Sequence, residues 1–196
     1  TAINLLDKGG IIRFYKHSNK LSFLDGTDID IEQELANISK ELNADFSIQE
    51  EINELINFPI IQVKKESFEK GTTRYFEFRI LSNLNDIKTA EGVLDGYINL
   101  IFDEKITENK LNVASKNTGS NLFVIYKNST QIKSEIFTIN KLKKLIVNKS
   151  QDINAKKLIE KELQFHLEQL QKFVLDNLFK QNDQNIWYFN GDIKSI

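Results

Sequence analysis

A chain of 196 residues, 40% hydrophobic and 10% aromatic, has enough apolar mass to bury a core, and its 14 phenylalanines set it apart from disordered proteins. It has no cysteine, which excludes disulfides, thiolate nucleophiles and cysteine zinc sites, and no apolar run long enough to span a membrane as a helix. The net charge of −2 hides an uneven layout: residues 1–104 carry 11 Lys and Arg against 19 acids, residues 105–161 carry 12 Lys against 4, and residues 162–196 carry 3 against 5.

The first residues lack the basic flank and apolar run of a signal peptide, so the expected location is the cytoplasm. Residues 11–15 and 21–24 read as a hairpin turning through His17 to Lys20, with Gly9, Gly10 and Gly26 at its ends. Ile31, Leu35, Ile38 and Leu42 then recur at helical spacing, behind an acidic first turn of Asp28, Asp30, Glu32 and Glu34 that suits the helix dipole. Ser47 and Glu50 have the spacing of a capping box, opening a short helix with Ile48, Ile52, Leu55 and Ile56 that Pro59 ends.

Residues 60–65 and 74–81 read as a second hairpin, turning near Gly71. In its second strand Phe76, Phe78 and Ile80 alternate with Glu77 and Arg79, the pattern of a half-buried strand and not of a central parallel one. Ile87, Ala90, Leu94, Tyr97 and Ile101 place a helix over residues 86–103. Residues 122–126 and 132–139 read as a third hairpin, followed by a short basic helix over 140–147. The longest helix spans residues 154–181, striped by Ile159, Leu163, Leu167, Leu170, Val174 and Leu178, and residues 186–189 form a terminal strand. The expected fold class is α+β, with antiparallel β-hairpins alternating with helices and a long C-terminal helix. Residues 1–150 would form one body, with residues 151–196 packed on it.

Several side-chain groupings bear on chemistry. His17-Ser18-Asn19-Lys20, followed by Asp25-Gly26, resembles the phospholipase D type motif, although two residues separate His17 from Lys20 where that family has one. The resemblance implies phosphodiester chemistry carried by His17, Lys20 and Asp25. Asp25, Asp28, Asp30, Glu32 and Glu34 are close in sequence, but Gly26 falls too early for a calcium-binding EF-hand loop. A restriction-type nuclease needs an Asp and a later Glu-x-Lys. Asp95 with Glu108-Asn109-Lys110 has that order, and Glu77-Phe78-Arg79 is a variant with Arg in place of Lys. His166 stands one helical turn after Glu162 and reads as its partner. No phosphate-binding Gly-rich loop or Gly-x-Ser-x-Gly elbow occurs, and no catalytic residue, metal or cofactor is assigned.

The basic segment points to a partner. Lys127, Lys133, Lys141, Lys143, Lys144, Lys149, Lys156 and Lys157 can neutralise phosphates, but the chain's three arginines (Arg13, Arg74 and Arg79) all lie outside it. Bidentate guanine recognition has no agent there, so nucleic-acid binding would be independent of sequence. The competing use of these lysines is to attract the acidic first half. The C-terminal helix suggests a second function, assembly with a protein partner or as a homodimer through Leu163, Leu167, Leu170, Phe173, Val174 and Trp187. The sequence therefore reads first as a non-catalytic nucleic-acid-associated protein. An assembly module is the alternative, and a metal-dependent nuclease or phosphodiesterase comes third.

Overall fold

The structure, a computed structural model, describes residues 3, 5–6, 11–15, 20–23, 29–42, 45–103, 105–180 and 184–194. Contacts divide the chain into two units, Thr1–Ala44 with Thr138–His166, and Asp45–Phe137 with Leu167–Ile196.

In the first unit the hairpin is present as β1 (Ile12–Tyr15) paired antiparallel with β2 (Lys20–Phe23). Helix α1 (Ile31–Ser39) starts where its sequence says it should. The Asp30 carboxylate accepts a hydrogen bond from Gln33 N at 3.1 Å, satisfying one of the free amides of the first turn. The apolar stripe of α1 faces the later part of α5 (Ser129–Asn148) and the start of α6 (Ile153–Gln171). Ile31 and Ile38 pack with Leu142, Leu145 and Ile159, and Leu35, Leu42 and Leu163 close the cluster. Each fully buried Leu or Ile contributes about 1.5–3 kcal/mol.

The second unit is built on a six-stranded sheet. Its strands are β3 (Ile61–Gln62), β4 (Tyr75–Ile80), β5 (Gly96–Ile101), β6 (Asn121–Tyr126), β7 (Asn185–Phe189) and β8 (Asp192–Lys194), lying side by side in that order. The β4–β5 and β5–β6 pairs are parallel, and the other pairs are antiparallel. Parallel neighbours need crossovers. The one after β4 brings Leu84 and Ile87, and the one after β5 brings Ile106 and then Leu111 of α4 (Glu108–Ala114). All four join Leu81, Ile101, Phe123 and Tyr188 on one face. On the opposite face Phe179 sits 6.5 Å from Phe78 and 5.6 Å from Trp187, ring centre to ring centre. There α6 ends in a π-helical turn, Lys172–Asp176. The Tyr126 hydroxyl donates to Val174 O at 2.6 Å, occupying a carbonyl of that turn, and burial pushes the phenol's pKa far up.

The chain is thus α+β, with no helix among the described residues long and apolar enough to cross a membrane. Three expectations are corrected. Residues 86–103 are not a helix: they start on the last residue of a 3₁₀ turn, Leu84–Asp86, and go on to form β5. A strand buried on both faces is a continuous apolar run, and periodicity alone does not separate it from a buried helix. Residues 132–139 are not a strand but the middle of α5, where Ile132, Ile136, Ile139, Leu142 and Leu145 are all buried at helical spacing. Finally, β4 pairs antiparallel only with the two residues of β3, and its other partner, β5, is parallel, so simple hairpin alternation does not hold. The stretch between β3 and β4 also contains a helix, α3 (Lys64–Lys70), which Gly71 closes at φ +66.

Two substitutions test this packing. A Cβ at Gly96 would collide with Ser120 O and the Phe76 ring, so Gly96→Ala is expected to cost roughly 2–4 kcal/mol. Tyr126→Phe leaves Val174 O buried without its donor and is expected to cost about 1–3 kcal/mol. Urea unfolding of both variants reads these losses.

Candidate functional site

The lysines of the basic segment are distributed over both units. In the first unit Lys144 Nζ lies 2.8 Å from Glu41 and Lys149 Nζ lies 2.6 Å from Glu34, so the acidic first half does take up part of the basic charge. The hydrogen bond from Lys144 holds the Glu41 carboxyl below its ordinary pKa. Lys156 is 3.8 Å from Glu160, one turn along α6, and burial holds the Lys141 ammonium below its usual value. Lys143 and Lys157 are exposed. Lys127 and Lys133 belong to the second unit.

In that second unit, β5 and β6 run parallel and side by side, so their carboxyl ends open in the same direction. The chain leaves β5 toward the face that carries Ile106 and Leu111. From β6 it runs through α5 and α6 and returns across the other face, where Val174 meets Tyr126. Connections that diverge in this way leave a crevice between the strand ends, the usual ligand position in sheets with parallel strands. A cavity of about 420 Å³ lies there.

Three segments line it: Phe46, Ser47, Ile48 and Gln49 at the start of α2 (Ile48–Leu55); Phe102, Asp103 and Lys105 after β5; and Ser129, Thr130 and Lys133 in the first turns of α5. Each segment is held locally. Ser47 Oγ caps α2 by accepting from Glu50 N at 3.4 Å, the hydroxyl half of the expected capping box. Asp103 Oδ1 accepts from Lys105 N at 2.8 Å, which fixes the turn. The Phe102 ring stacks on Tyr126 with centres 4.4 Å apart, and Phe46 stacks on Phe137 at 6.3 Å. Lys133 Nζ stands 5.5 Å from the Phe46 ring centre, a cation–π contact. Asn128 O accepts from Ile132 N, so Asn128 caps α5 and the positive end of a 20-residue helix borders the crevice. Two ammonium groups and a helix N-terminus thus outweigh the one carboxylate of the lining. Exposed Lys127 follows β6 directly.

The other residues singled out by sequence have these positions. Leu163 belongs to the cluster of the first unit. In the second unit Leu170, Val174 and Trp187 are buried, and Leu167 and Phe173 are half-buried. Asp95 is not helical but precedes β5, and its two carboxylate oxygens accept from Arg74 at 2.6 Å and Tyr75 N at 2.9 Å. Glu108 opens α4 and accepts from the Tyr188 hydroxyl at 3.0 Å. Among the described residues no three His, Asp or Glu side chains gather to hold a metal. His166 lies 3.8 Å from Glu162. His17, Ser18, Asn19, Asp25, Gly26 and Asp28 lie outside the described residues.

Of the lysines singled out in the sequence, Lys133 lines the crevice; Phe46, Phe102 and Lys105, which also line it, were not singled out. Recognising residues 96–101 as a buried strand would have brought the last two into view, since they follow its carboxyl end. No family model matches the chain, nor does any curated protein or solved structure.

The pairing of Glu108 with Tyr188 has a measurable consequence. Burial, then the Glu108 contact, push the Tyr188 phenol from 10.0 up to about 12. The neutral phenol is the favoured folded form, so its stabilisation is complete below pH 10 and is lost as pH rises through 12. Tyr188→Phe is expected to shrink the alkaline loss of stability, leaving the part that buried Tyr126 contributes. Equilibrium unfolding followed from pH 8 to 12.5 checks it, and an unchanged loss would assign it to other groups.

Proposed function

We propose that this chain is a non-catalytic, nucleic-acid-associated protein that binds phosphate backbones without regard to base sequence. The observation that carries this reading is the crevice at the carboxyl ends of β5 and β6, where Lys105 and Lys133 border a cavity of mixed polar and aromatic lining beside the positive end of α5. Lys127, exposed at the end of β6, extends the same positive character. Lysine ammonium groups supply the electrostatic attraction, and the lining contains no arginine to read a guanine edge. In the first unit Lys143 and Lys157 can add contacts, whereas Lys144 and Lys149 already face carboxylates.

Assembly through the C-terminal helix is the alternative. Its support is the partial exposure of Leu167, Phe173 and Phe179, because Leu170, Val174 and Trp187 are already used inside the second unit. The nuclease reading draws on less, since both oxygens of Asp95 are engaged. A cytoplasmic location fits all of these readings.

The test is binding of labelled DNA and RNA across a salt series, with and without Mg²⁺. Affinity is expected to fall as salt rises, with each phosphate contact contributing about 0.7–0.9 to the logarithmic slope. The combined change of Lys105, Lys127 and Lys133 to Gln should flatten that slope by about 2. Lys144→Gln with Lys149→Gln should change it far less. Absence of binding at low salt would reject the proposal, and a chain that dimerises without binding would favour assembly. Cleavage seen only with Mg²⁺ would turn the argument to the nuclease.

A further inference from the structure

On the basis of that reading, we infer that the crevice takes a single-stranded nucleic acid, one nucleotide at a time, with the base against Phe46 and the phosphate between Lys105 and Lys133. The first support is shape. The site is an open depression of about 420 Å³, within the size range of small-ligand sites. A duplex presents a convex rod with its bases stacked inside, so no base reaches such a cavity without leaving the stack. A single strand offers its bases already free.

The second support is the order of chemistry along the lining. Lysines 105 and 133 provide charge for a phosphate, Ser129, Thr130 and Gln49 provide polar groups, and Phe46 provides an aromatic ring. Sequence-tolerant single-strand binding requires this combination, because every base has a π-face to stack and every linkage has a charge to neutralise. Phe46 is half-buried, and its stack on Phe137 (13° between ring planes) sets the ring orientation before a ligand arrives. The Lys133 ammonium, 5.5 Å from the centre of that ring, puts the cation and the aromatic surface within the span of one nucleotide. Asp103 opposes anions, and the two ammonium groups of the lining outnumber its single carboxylate.

The deciding experiment compares a labelled deoxythymidine oligomer, an abasic oligomer of equal length, a duplex and free thymidine monophosphate, each at one low salt concentration. The normal-base single strand is expected to bind more tightly than the duplex, and the abasic strand roughly fivefold or more weaker than the normal one. Phe46→Leu should impose a similar loss on the normal strand and almost none on the abasic strand, while Phe46→Tyr keeps the affinity. Thermal melting checks that both variants fold, and should Phe46→Leu fail to fold, the abasic comparison on the unaltered protein decides alone. If normal and abasic strands and duplex bind alike, with salt dependence intact, the single-strand inference is overturned and the phosphate reading stands. Free nucleotide competing as well as the oligomer would overturn it in favour of a soluble nucleotide ligand. No binding by any probe would remove both readings together.

Discussion

The second unit depends on the burial of one strand, β5. It lies between β4 and β6, parallel to both, and residues 98–101 are covered on both faces. Ile98 and Leu100 point to one side, Asn99 and Ile101 to the other. Parallel pairing on both sides requires two crossovers, and these bring Leu84, Ile87, Ile106 and Leu111 onto one face. The same constraint generates the crevice, because the segments leaving neighbouring parallel strands must part. Gly96 makes the close pairing possible: its backbone passes so near Ser120 O that no side chain fits.

Burial of β5 brings a polar group with it. Asn99 is fully buried, and its amide donates to Asn121 Oδ1 at 3.0 Å and to Leu122 O at 3.1 Å. Asn121 in turn donates to Lys88 O and Thr118 O, at 3.0 and 2.6 Å, tying both crossovers to the sheet. A buried amide without partners costs more than a hydrogen bond returns, so such a network favours one arrangement of the connections over its competitors. Tyr126 performs a related task at the other end of its strand, where its hydroxyl occupies a carbonyl of the π-helical turn.

Electrostatics divides the lysines by environment. Those of the first unit stand among the acids of residues 29–42, and the pairs Lys144–Glu41 and Lys149–Glu34 are the outcome. Pairs that stay partly open to solvent add little stability, but they reduce the charge available to a partner. In the second unit Lys105 and Lys133 share a cavity with hydroxyl groups and aromatic rings. A count of charges along the chain treats all of these lysines alike, and their surroundings distinguish them.

Much of the local structure was legible in the residues themselves. The Asp30 and Ser47 caps, the stripe of Ile31, Leu35 and Ile38, and the strands around Phe14, Phe78 and Trp187 each depend on neighbours a few positions away, and chain order contains that information. The sequence by itself determined the α+β class, the starts of α1, α2 and α6, and the lack of cysteine chemistry. Only the tertiary structure decided the direction of strand pairing, the helical state of residues 132–139, and which lysines meet acids. Whether an apolar run such as 97–102 is a strand or a helix depends on what covers it, and the cover comes from residues up to 90 positions away, such as Tyr188. The crevice was illegible for the same reason. Phe46, Lys105 and Lys133 come from three separate segments: the parallel pairing of β5 with β6 brings the last two to one end of the sheet, and the stack on Phe137 places Phe46 beside them.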